Sequence, residues 1–89
     1  MPKNVPTNWH AETGKRIRIA RLAVGLSQED VASELGMTYQ AFQKIERGKT
    51  KLEAQTAVVL AGLFEMDVRA LLGLKAMPPR MKQPVGLFR

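Results

Sequence analysis

Between Gln28 and Arg47 the chain places apolar side chains at Val31, Leu35, Met37, Phe42 and Ile45, with Ala32 and Gly36 among them. Few folds can use that pattern. Two short helices that cross steeply need a small residue where their axes approach, a glycine where the chain reverses, and apolar residues on the inward faces only. Ala32 and Gly36 meet the first two demands, and local signals bracket the helices themselves. Ser27 is placed to cap a helix over residues 28–35, with Asp30 three positions later where a capping box puts its acid. Thr38 is placed to cap a second helix over 39–47, which Gly48 stops. On that second helix Ala41, Phe42 and Ile45 face inward, leaving Tyr39, Gln40, Gln43 and Lys44 outward. Those four are large hydrogen-bonding side chains, suited to reading base edges in a major groove.

The rest of the chain also reads as helix, with no convincing strand pattern. Residues 1–8 hold two prolines and two asparagines, an extended arm whose last residue, Asn8, can cap a helix opening at Trp9 and running to about residue 24. Gly25 ends it. The core stripe of this helix is Ile17, Ala20 and Val24, while Ile19, Leu22 and Ala23 make a second apolar patch on the opposite side. From Glu53 the apolar positions Ala54, Ala57, Val58, Ala61 and Phe64 recur at three and four and predict a fourth helix, with Val59 and Leu63 off its stripe as candidates for a dimer seam. Asp67 caps a short fifth helix over 68–72 that Gly73 closes. The organisation expected is therefore an arm (1–8), a helical domain (9–73) and a tail (74–89). Three prolines keep the tail from simply continuing the fifth helix. Its Met77, Met81, Val85, Leu87 and Phe88 are too apolar for a purely solvated segment, so it either folds back on the domain or reaches a partner chain.

Charge narrows the partner. With 14 Lys+Arg against 8 Asp+Glu in 89 residues the formal net charge is +6, a balance that favours a polyanion. The charge is also patterned: net +3 over 44–51, where Lys44, Arg47, Lys49 and Lys51 oppose Glu46, and net −3 over 27–43. Arg47, Lys49 and Lys51 straddle the glycine that ends the second helix of the pair, where a loop would follow a phosphate backbone. The chain has no cysteine and one histidine, His10, which excludes zinc-finger readings and leaves no metal site or cofactor to expect. An enzyme would need a nucleophile–base pair or a metal cluster, and none is legible. No apolar run approaches the roughly 20 residues that cross a bilayer, and the N-terminus lacks a signal-like stretch, so a cytoplasmic protein without membrane contact is expected.

The segments GKRIRIAR, LSQEDVASELGMT, IERGKTK and LAGLF followed by MDVRALLG stand in the order and spacing of the Cro/phage-repressor (Xre-type) helix-turn-helix family, which the chain resembles over about residues 13–73. The resemblance implies an all-α, five-helix lambda-repressor-like domain whose third helix enters the major groove, with the helix-turn-helix itself at 28–47. It further implies a dimeric, sequence-specific regulator of transcription on a palindromic operator, a repressor or autoregulator; a restriction-modification controller would have the same domain and similar length. Arg21 and Glu46 match an ion pair that ties helix 1 to the end of helix 3, and a charge facing the core would need such a partner. Gln28 matches a phosphate contact at the amino end of helix 2. Gln40 can present its amide to adenine, and Lys44 can donate to guanine or to a phosphate. Tyr39 departs from the small or amide residues frequent at its position, and Glu65 stands where glycine or asparagine is common after helix 4. A second reading stays open: an antitoxin that binds a partner protein, through the tail, and represses its own operon.

Overall fold

The computed structural model describes residues 8–74. They form five helices, α1 (Trp9–Ala23), α2 (Gln28–Leu35), α3 (Tyr39–Glu46), α4 (Ala54–Leu63) and α5 (Val68–Leu71), with no strand among the described residues. The arm before residue 8 and the tail from residue 75 lie outside the described residues, as do the tail's expected contacts.

The helix ends are written in local chemistry. Ser27 Oγ accepts from the Asp30 amide and the Asp30 carboxylate accepts from the Ser27 amide, each at 2.9 Å, a complete capping box. The Thr38 hydroxyl accepts from the Ala41 amide at 3.0 Å, and the Asp67 carboxylate from the Arg69 amide at 2.8 Å. Gly25, Gly36, Gly48 and Gly73 close their helices with φ between 69° and 77°, the left-handed conformation that a Cβ resists. Asn8 precedes α1 as expected, but with φ −97° and ψ 6° its side chain makes no cap bond.

One core joins all the helices: Ile17 of α1, Val31 and Ala32 of α2, Phe42 and Ile45 of α3, Leu60 and Ala61 of α4, Phe64 and Leu71, all buried. Leu35 and Met37 pack against it from the turn. Two expected stripes are corrected. On α1, Thr13, Gly14, Ile17 and Arg21 are buried and Val24 is exposed, because the chain leaves the helix at Val24 and turns at Gly25. On α4 the inward face is Ala57, Leu60, Ala61 and the following Phe64, while Ala54 and Val58 face solvent. Nearly every residue of that helix is apolar, so spacing alone fits more than one face. Val59 is also exposed, whereas Leu63 packs on the core instead of standing free.

Helices α1 and α3 touch at backbone distance. A Cβ built on Gly14 would collide with the Glu46 carbonyl oxygen, and one on Gly48 would lie 2.6 Å from Ala11 Cα. The carboxyl end of α3 is thereby seated against the first turns of α1, which fixes how α3 is aimed.

Candidate nucleic-acid interface

Helix α3 presents its polar residues on one side. At about 100° per residue, positions 39, 40, 43, 44 and 47 fall within an arc of about 140°, opposite the buried Phe42 and Ile45. Tyr39, Gln40, Lys44 and Arg47 are exposed and Gln43 is half-buried. Gln43 Nε2 donates to the Tyr39 hydroxyl at 3.1 Å, one turn apart, so the two side chains hold each other. Lys49 and Lys51 follow in the loop after Gly48 and are exposed. The structure thus gathers Tyr39, Gln40, Gln43, Lys44 and Arg47 on one face of a rod, with two further cations just beyond its end. An array of amide, phenol and ammonium groups can donate to and accept from base edges, while exposed cations outside it can meet phosphates.

Beneath this face lies a buried charge network. Arg21 Nε donates to Glu46 Oε2 at 2.5 Å and its second nitrogen to Oε1 at 3.3 Å, with the two side chains 6% and 3% exposed. The remaining Arg21 nitrogen donates to the Leu26 carbonyl at 2.8 Å. The expected Arg21–Glu46 pair is present, and it carries a third member. Gln28 Nε2 donates to Glu46 Oε1 at 2.8 Å, so the residue matched to a phosphate contact also fastens the amino end of α2 to the carboxyl end of α3. One N–H of its amide is engaged in this way, which leaves its second N–H as the donor with which it could meet a phosphate.

Gln28 lines a polar cleft of about 320 Å³ together with Arg18 and Arg21 of α1, Ser27, Glu29 and Tyr39. The cleft lies at the amino end of α2, and a helix end of that polarity favours an anion. Arg18 was not singled out from the sequence; its register three residues before Arg21 was the available signal. Arg16 was also missed, and its role is structural: Nε donates to the Leu71 carbonyl and a terminal nitrogen to the Thr13 hydroxyl, each at 2.8 Å. That bond satisfies a carbonyl at the end of α5 and docks the helix on α1. His10 packs edge-on against Trp9, ring centroids 5.0 Å apart. Among the described residues no group of three or more His, Cys, Asp or Glu side chains is gathered to hold a metal ion, and no helix is long and apolar enough to cross a membrane.

Comparison with known proteins places the fold. A helix-turn-helix family model matches residues 17–71. An uncharacterized HTH-type transcriptional regulator of Sinorhizobium medicae (strain WSM419) is 38% identical over 66 residues, covering 74% of this chain and 48% of that protein. An uncharacterized transcriptional regulator in the ATPase CF(0) region of Rhodospirillum rubrum is 41% identical over 71 residues, covering 76% of this chain and 66% of that protein. The chain therefore spans about half the length of the first of these relatives. Among solved structures, the restriction-modification controller protein C.AhdI from Aeromonas hydrophila superposes with a TM-score of 0.65 at 29% identity, covering 72% of this chain and 96% of that one.

Proposed function

Since the chain belongs to the helix-turn-helix family, one of DNA-binding regulators and not of enzymes, we propose that it regulates transcription in the cytoplasm by binding a specific double-stranded DNA operator through α3. The observation that carries this reading is the one-sided array on α3, exposed opposite a buried seam and flanked by Arg47, Lys49 and Lys51. In the bound state Gln40 and Lys44 read base edges, Tyr39 and Gln43 act beside them, and Gln28, Arg47, Lys49 and Lys51 hold phosphates. The first group sets which sequence is preferred; the second sets affinity on any sequence.

An α3 of eight residues covers too few base pairs for genomic selectivity, so the working unit is a homodimer on two half-sites about 34 Å apart. An operator of approximate two-fold symmetry follows, as does a role as repressor or autoregulator. Selection of bound duplexes from a random pool, followed by a salt titration on the winner, tests this. The expected outcome is a palindromic consensus and a steep linear fall of log affinity with log salt. A pool that yields no consensus, or binding indifferent to salt, would remove the proposal.

A further inference from the structure

The second apolar patch of α1 is real and open: Ile19 is 66% and Leu22 54% exposed, with Ala23 exposed beside them. Ile19 and Ala23 form one wall of an apolar groove of about 330 Å³, completed by Arg16, Ala20, Val24, Phe64, Met66 and Ala70. Exposed aliphatic residues that adjoin a groove are a standing cost in water unless something covers them. We infer that this groove is the docking site of the chain's own residues 77–88.

Three observations select that occupant. The first is where the described chain leaves off. Ala70 of α5 lines the groove, and a Cβ on Gly73 would lie 2.6 Å from the guanidinium of Arg16, another lining residue. The following segment is thus tethered at the groove's rim, where its local concentration is on the order of millimolar and modest affinity suffices. The second is reach. The groove's α1 wall, from residue 16 to 24, is about 12 Å long, and a dozen residues extend to about 40 Å, so slack is ample. The third is chemistry: Met77, Met81, Val85, Leu87 and Phe88 are interleaved with Pro78, Pro79 and Pro84. Methionine fits irregular apolar grooves, and proline lowers the entropy lost when an extended strap is ordered.

The chain has no cysteine, so a nitroxide can be attached at Gln83→Cys alone in an isotope-labelled full chain. Selective broadening of the amide signals of residues 19–24, with intensity reduced by roughly half or more at the occupancy a tether gives, is expected. Ile19→Asp, at a position open enough to spare the core, should abolish the broadening; Val58→Asp, 60% exposed and outside the groove, should not. Uniform or absent broadening overturns the inference. So does broadening that appears in a mixture of spin-labelled chains without isotope and isotope-labelled chains without nitroxide, because the occupant would then be a second copy.

Discussion

Replacing Glu46 by alanine removes the shared acceptor of the buried network. Arg21, with its side chain 6% exposed, keeps the Leu26 carbonyl at 2.8 Å but loses its carboxylate, and Gln28 Nε2 loses its acceptor at 2.8 Å. Breaking a buried ion pair by deleting one partner costs about 3–5 kcal/mol, because the other charge stays out of water without compensation. A domain of this length has about 3–10 kcal/mol of stability in all, so the variant should be near its folding threshold. Urea unfolding followed by helical circular dichroism should show the midpoint lowered by about 2–4 M, or no folded baseline. DNA affinity should fall with it, since the aim of α3 depends on the same carboxylate. The double variant Arg21→Met with Glu46→Met buries no charge and should be more stable than Glu46→Ala, within about 2 kcal/mol of the parent. A Glu46→Ala change below about 1 kcal/mol, or a double variant weaker than the single one, would refute the claim that the pair's burial makes it matter.

On DNA, Lys49→Ala should weaken binding equally on all sequences and reduce the salt slope by about 1, whereas Gln40→Ala should cost about 1–3 kcal/mol on the preferred site and relax the choice of one base pair; titrations on matched and mismatched duplexes separate the two. Glu65 holds φ 56°, so Glu65→Gly should raise the urea midpoint, with a gain of about 0.5–1 kcal/mol once glycine's extra chain entropy is subtracted. Gly14→Ala should destabilise by several times that amount, on the order of 3 kcal/mol, because its Cβ meets the Glu46 carbonyl oxygen, a backbone atom that cannot swing aside. The hydrogen bond from the Ser27 amide, followed by that of the Ser27 side chain, lowers the pKa of Asp30 below its usual 3.8. A carboxyl depressed on folding stabilises above its unfolded pKa and loses that contribution as pH falls through the folded one. The stability difference between the parent and Asp30→Asn should therefore be flat above about pH 5, shrink as pH falls below 3.8 and vanish once pH has passed the lowered folded value; a difference that persists in stronger acid would show that the carboxylate bond is not its source.

The central pair of helices was legible because its signals are local and of one meaning: Ser27 with Asp30, Gly36 and Thr38 each admit a single structural use in their context, and α2 begins and ends where they put it. The face of α4 was not, since an almost wholly apolar helix offers no polar residue to mark the outside, and only its neighbours decide that Leu60 and not Val58 goes in. Val24 fits the periodic stripe of α1 yet stands outside the core, because a periodic pattern does not say where the helix stops supporting it. At the site, the Arg21–Glu46 pair came from a family likeness and from the cost of lone buried charge. The bond from Gln28 joins residues 18 apart in sequence, and Arg16 meets α5 across 55; no spacing rule reaches that far. Glu65, where the family resemblance implies glycine or asparagine, takes a left-handed φ of 56° and bears the strain itself.

The fasteners of α3 and its exposed polar face never coincide: Gly36 and Thr38 set one end, Glu46 and Gly48 the other, and Phe42 and Ile45 the underside. Tyr39, Gln40 and Lys44 are left as exchangeable letters on a fixed type-bar. On the proposed reading of DNA by α3, a lineage carrying this chain would drift to new target sequences by altering those few outward positions with little change to the core, and grafting another relative's outward residues here should transplant that relative's preference.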